Sequence, residues 1–356
     1  MRLIFDDHTD LAFWALGYNR DQTESVDEIN QRERGMTDAF DRACAANSLP
    51  EMRRAAVACC QATVVVRANR QVHPVGRVEL DYGTQEMAYA AAQGQLAYYR
   101  VLEQQGQMRI IRTAGDLNAH WRTWQSEDRD DLPVGYLLAM EGADPIVKPS
   151  QVEAWWDDGL RCVMLAHFGE SHYADDTGSE GPLASKGVQL LKKYEQLGMM
   201  LDLTHLGDVS FYEALDSFNG PVLASHTNCR ALVAGDRQFS DEQIKLLINR
   251  GGIIGAVLDA WMLVPGWVYG KSTPENLKLT AVVDHIQHVC HLAGDSLHAA
   301  IGSDMGGTNH MPSDLKTTVD LQKLAVILAA RGYSELDIDN IFHVNWLRFF
   351  RQWLPA

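Results

Sequence analysis

Apolar residues along this chain fall into short unbroken runs. Between the runs lie longer stretches in which they recur every three or four positions. The runs at 2–5, 62–67, 135–140, 162–166, 199–203, 221–224, 253–258 and 299–302 are rich in Val, Ile, Leu and Met. They alternate little, as strands buried on both faces do. Helical periodicity occupies 85–105, 149–158, 183–197, 209–218, 241–250 and 282–293. Eight such strands alternating with helices predict an α/β fold, the (β/α)8 TIM barrel, with a doubly wound open sheet as the competing arrangement. A ninth strand-like run at 108–112 is one more than a barrel needs.

The chain reads as one catalytic domain over 1–356. Segments 11–60 and 68–134 are elaborations of the first two βα units, and 314–356 is a helical tail. The tail divides into helices at 317–331 and 334–352, with Gly332 as the stop of the first. Ser334 is the N-cap of the second, and Asp337 completes its capping box.

The chemistry-bearing residues cluster at the ends of the predicted strands. His8 and Asp10 follow the first, Glu141 the third, His167 the fourth, His205 the fifth, His226 the sixth and Asp304 the eighth. In a barrel all strand C-termini open on one mouth, so these residues converge there. Taken singly each has a plainer reading. His8 and Asp10 make a surface pair, Glu141 is an acid in a helix first turn, and His205 and His226 are caps. Together, carboxylates and imidazoles crowded into one cavity require charge compensation, and a divalent metal supplies it. The donor set suits zinc or a similar borderline cation.

Other features read as structure. His285, His288 and His291 repeat every three residues on a predicted helix and are expected on its solvated face. Trp155 and Trp156 are expected to pack. His172, Asp175, Asp176 and Glu180 are expected in a solvated loop after the fourth strand. Gly306 and Gly307 suggest a phosphate-binding turn, which their acidic neighbours oppose.

Charge narrows the partners. There are 31 Lys+Arg against 47 Asp+Glu, a formal charge of −16, which disfavours nucleic acid. The six cysteines include no CxxC pair and form no disulfide scaffold. The start of the chain turns acidic at once, leaving no room for a signal peptide. No apolar run is long enough to cross a membrane, so a cytoplasmic protein is expected.

Five segments occur in an order that resembles the membrane (renal) dipeptidase family, the M19 metallopeptidases. They are His8, Thr9, Asp10 and Leu11; Met140, Glu141 and Gly142; the stretch 197–205 ending in Leu203, Thr204 and His205; Ala224, Ser225, His226, Thr227 and Asn228; and Ile301, Gly302, Ser303 and Asp304. The segment 198–205 is similar to the family's "LGMxxDxSH", and 225–244 to its "SHS…RN.SDEQI". The resemblance implies a (β/α)8 barrel with two divalent ions, most simply Zn2+, acting on small dipeptides. By motif it makes His8 and Asp10 ligands of one metal, Glu141 the bridge, and His205 and His226 ligands of the other. His167 matches the histidine facing the substrate carbonyl. Arg237 matches the arginine that meets the substrate carboxylate, and Asp304 the aspartate that handles protons. The family also implies tolerance of a C-terminal D-residue, and a homodimer is common for such barrels.

Three positions depart from the pattern. Asp7 stands where the family has Gly, Gln238 follows Arg237 where it has Asn, and no second Asp follows Asp304. None removes a ligand, while all bear on pocket shape. Two other readings compete. Other metal-dependent amidohydrolases, acting on amides or lactones, usually open with HxH and often bridge through a carbamylated lysine, whereas here the pair is HxD, the bridge candidate is Glu141 and no lysine stands at a matching strand end. A catalytically silent metal-binding barrel is the reading from outside enzymology.

Overall fold

The computed structural model describes residues 1–39, 41–68, 80–126, 129–179, 181–268, 271–306 and 310–356. Among them nine strands are formed. They are β1 (Ile4–Thr9), β2 (Val57–Val65), β3 (Met108–Ile110), β4 (Val134–Glu141), β5 (Leu160–Met164), β6 (Met200–Asp202), β7 (Val222–Leu223), β8 (Ile254–Ala256) and β9 (Ala299–Ile301). Ladders run in the order β1-β2-β4-β5-β6-β7, with β8-β9 as a separate pair, and all are parallel.

Two links complete a circuit. A parallel bridge joins Ala224 to Ile254, connecting β7 to β8. The Asp304 N–H donates to the His8 carbonyl at 3.3 Å, and the Ser303 N–H donates to Asp6 Oδ1 at 2.7 Å, tying the end of β9 to β1. A buried carboxylate thus replaces part of a backbone ladder at the seam. The spare run becomes β3, which pairs with Val134–Tyr136 at the start of β4, whereas β5 pairs with Leu138–Met140 further along. Since β2 occupies the other edge of β4, β3 and β5 share one edge, and β3 stays outside the eight-strand circuit. The architecture is the expected TIM-type α/β barrel.

Strands form where they do because every residue of β2, β4 and β5 is buried, between barrel lumen and helix layer. Helices Gln85–Gln104, Val152–Asp157, Ser185–Leu197, Asp208–Ser217, Asp241–Asn249 and Thr280–Ala293 answer the helical patterns. Helix Ser185–Leu197 stops at Gly198, whose φ of +73° gives the left-handed cap.

Several expectations are corrected. β1 starts at Ile4 and runs on through Thr9, so His8 lies within the strand rather than after it. β2 starts earlier, at Val57, because Cys59 and Cys60 pair in the ladders on both sides. Helix Ala114–Ser126, which was not foreseen, buries Leu117, His120, Trp121 and Trp124. In the tail Ser334 caps as expected, with Asp337 in a capping box, and Gly332 has a φ of +89°. The second tail helix is not continuous: Glu335–Asp339 passes through a π turn at Asn340–Val344 into Asn345–Trp353. No described helix is long and apolar enough to cross a membrane.

Candidate metal centre

The barrel mouth gathers residues from six strand ends, His167 coming from the end of β5. His8 is the penultimate residue of β1, Asp10 follows that strand, and Glu141 ends β4. His205, His226 and Asp304 each sit three residues beyond a short strand, after β6, β7 and β9 respectively. His205 and Asp304 adopt left-handed backbone, with φ of +75° and +55°, and Phe168 does so at +53°. Non-glycine residues hold such angles only when their surroundings impose them, and these three lie together at the mouth.

Glu141 is the hub. Its Oε2 lies 3.5 Å from His8 Nε2, which is also 3.6 Å from Asp10 Oδ1 and 3.8 Å from Asp304 Oδ1. Its Oε1 lies 3.0 Å from His205 Nε2, 3.4 Å from His226 Nε2 and 3.6 Å from His167 Nε2. The two carboxylate oxygens therefore face two different donor groups. Three sets fall within ligand spacing: His8, Glu141 and His226; Glu141, His167 and His205; and His8, Asp10 and Asp304.

The donor chemistry fits divalent cations. His205 and His226 point their Nε2 atoms at each other across 3.2 Å. Among the described residues neither ring nitrogen of His8 makes a hydrogen bond of good geometry, though the ring is fully buried and its Nε2 faces carboxylates. Such imidazoles facing a buried carboxylate are badly solvated until a cation arrives. Protonation preferences show the same crowding. Burial, with the neighbouring Asp10 adding to it, pushes the Glu141 carboxyl up against the pull of His8. Partial burial at the crowded mouth lifts Asp304 well above the usual carboxylate range against the pull of His8, and Asp10, Glu141 and Asp259 add to it. Burial holds His205 and His226 well below the usual imidazole range, with Arg237 and the adjoining rings contributing. For His8 burial also disfavours the proton, but Glu141 and Asp10 outweigh it and raise that ring.

Supporting contacts orient these groups. His226 Nδ1 lies 2.9 Å from Ser225 Oγ, and Thr63 Oγ1 donates to Asp10 Oδ1. Arg237 is buried at 2% exposure beside the two imidazoles, donating from Nη2 to the His226 carbonyl at 2.9 Å. Its Nη2 lies 3.3 Å from His205 Nε2. Phe168 packs edge-on against both His167 and His205.

All eight residues singled out in the sequence meet here: His8, Asp10, Glu141, His167, His205, His226, Arg237 and Asp304. Other expectations move. Asp176, assigned to a solvated loop, is fully buried against His205. His172 is bound by Asp144 at 3.1 Å, and Glu180 lies outside the described residues, as does Gly307. His285 is buried, not solvated, and its Nδ1 accepts the Cys229 N–H at 3.0 Å, while His288 pairs with Asp241. Trp155 packs in the core as expected. Asp7 is fully buried, with Gln61 beside its carboxylate.

Comparison with known proteins follows the same line. A 255-residue segment is 27% identical to an uncharacterized protein from the pqqA 5′ region of Klebsiella pneumoniae, covering 69% of this chain and 89% of that one. A 224-residue segment is 31% identical to dipeptidase tcpJ of Claviceps purpurea, covering 61% of this chain but 50% of the fungal one. The chain thus spans about half the length of that dipeptidase. In fold it matches a metallopeptidase from Rhodobacter sphaeroides, crystallised with a phosphinate mimic of L-Ala-D-Ala, at a TM-score of 0.78 and 19% identity over 99% of both chains. It matches the probable dipeptidase PvdM of Pseudomonas aeruginosa at a TM-score of 0.78 and 18% identity, over 98% of this chain and 95% of that one. The family model for membrane dipeptidase, peptidase family M19, matches residues 3–354, and this chain belongs to that metallopeptidase family.

Proposed function

We propose that this protein is a dipeptidase working with two divalent ions, zinc by donor type, held by His8 and Asp10 on one side and His205 and His226 on the other, with Glu141 between. The observation that carries the reading is the split of Glu141, one oxygen toward His8 and the other toward His205 and His226. When bound, the metal pair supplies a water acidic enough to attack near neutral pH and an electrophile for the peptide carbonyl.

The remaining work belongs to side chains. His167 lies beside the cluster and donates a hydrogen bond to the substrate carbonyl oxygen as charge develops on it. Asp304 keeps a third of its side chain accessible and lies 3.8 Å from His8, a place from which it takes the water's proton and passes it to the leaving amine. Its raised proton affinity suits a group that must both accept and release a proton. Arg237 presents a desolvated guanidinium for the free C-terminal carboxylate, which favours dipeptides over longer chains. The Rhodobacter relative's complex with an L-Ala-D-Ala mimic supports a site that accepts a C-terminal D-residue.

A panel of L,L- and L,D-dipeptides, assayed with and without chelator, tests the reading. Chelator-sensitive turnover of at least one dipeptide is expected. No turnover of any dipeptide by metal-loaded protein contradicts it.

A further inference from the structure

Phe168 and His205 come from different loops, yet both hold left-handed backbone, at +53° and +75°. Such backbone is strained for a non-glycine residue and persists only where neighbours fix it. One carboxylate reaches both. Asp176 Oδ2 accepts the Phe168 N–H at 2.5 Å and lies 3.8 Å from His205 Nδ1. The adjoining Thr177 donates to the His205 carbonyl from its N–H at 3.1 Å and its hydroxyl at 3.2 Å. Asp176 itself bridges to Leu206 in a short antiparallel contact, and the Gly169 N–H donates to the Thr177 carbonyl at 3.1 Å. The carboxylate is entirely buried, which a loop built only to connect two elements has no need of.

His205 faces Glu141 through Nε2, so Nδ1 is the nitrogen left to carry a proton once Nε2 binds metal. That Nδ1 is buried without a hydrogen bond among the described residues, and Asp176 stands opposite it. A carboxylate behind a ligating imidazole fixes its tautomer and orientation and strengthens its donation to the metal. We propose that Asp176 is a positioning residue: it holds His205 through Nδ1–H as a metal ligand and, through the Phe168 N–H, sets His167 beside it. The inference rests on the reading of His205 as a ligand. It gives a functional place to a residue whose sequence context reads as solvated loop.

The test compares wild type with Asp176→Asn and titrates zinc against a competing chelator. The amide oxygen of Asn still accepts from Phe168 but leaves the Thr177 N–H facing the amide nitrogen, so the metal-free protein is expected to fold and to melt modestly below wild type. One zinc is expected to bind about 10–100-fold more weakly while the other is unchanged. The kcat is expected to fall with KM little altered. Asp176→Asn protein with both wild-type affinities overturns the inference. So does a variant whose metal-free melting temperature falls while its zinc affinities hold, since that marks a merely structural residue. Independently of any variant, histidine 15N spectra of zinc-loaded wild type are expected to show His205 protonated on Nδ1, and an unprotonated Nδ1 overturns it. Wild-type protein that takes up no metal contradicts the dipeptidase reading itself, whereas a metal-binding wild type beside an unaltered variant contradicts only the role of Asp176.

Discussion

Two sets of histidines are buried in this molecule, and they differ in what their nitrogens face. His120 and His285 sit in the helix layer. His120 Nε2 lies 2.7 Å from the Ala58 carbonyl, and His285 Nδ1 accepts the Cys229 N–H at 3.0 Å. Each has a backbone partner and burial keeps it neutral, with pKa values pulled down to about 4. His8, His205 and His226 sit at the barrel mouth and aim their Nε2 atoms at one shared carboxylate and, for two of them, at each other. Burial alone therefore does not mark function. A neutral ring bonded to backbone is packing; rings converging on one anion without donors to spare form a site for a cation.

The largest break in that contrast comes from Glu141→Gln. The amide removes the shared anion, so metal content is expected to fall from about two per chain to one or fewer, with turnover lost, as read by elemental analysis beside an activity assay. Asp304→Asn should act differently. The metals stay, while kcat falls by about 10²–10⁴-fold, the usual contribution of a positioned acid–base group, and steady-state kinetics on metal-loaded protein separate the two cases.

The helix-layer histidines are tested by pH. Their folded pKa values are depressed, so the unfolded chain binds protons that the folded chain refuses. Their contribution to stability is intact above pH 6.5 and is lost as pH falls toward about 4. Over that interval each ring costs about 3 kcal/mol, and urea titrations of metal-free protein across the range should show it. Substituting His285 with Gln should flatten its share of the slope without touching metal content. The smallest effect is at the tail. Ser334→Ala removes the cap bonded to the Asp337 N–H and should cost about 1 kcal/mol, with activity unchanged, as measured by thermal melting and assay.

What the sequence showed follows the same divide. Apolar runs and strand-end acids and imidazoles are local signals, and they brought seven of the eight candidate residues to one mouth, while Arg237 came only from the family resemblance. The boundaries of β1 were not local. Asp6, Asp7 and His8 look like the end of a strand, yet tertiary partners such as Ser303 for Asp6 carry the strand on to Thr9. Helix Ala114–Ser126 went unrecognised because its buried face carries a single aliphatic residue, Leu117, beside His120, Trp121 and Trp124. The pairing of Thr113 with Asp116, seen as the Asp116 N–H donating to Thr113 Oγ1 at 3.0 Å, was the signal that marks its start. Asp176 gave no signal at all. Its burial depends on the Phe168 and Thr177 N–H groups, which only the folded loop brings to it.

The central claim is that the mouth, and not the helix layer, is built to grip two cations for peptide hydrolysis. The direct measurement is metal content and dipeptide turnover on one sample, before chelation, after it, and after zinc is restored. The account predicts about two metals per chain, activity lost on chelation, and activity regained as both ions return. Undiminished turnover by protein stripped of metal would contradict it.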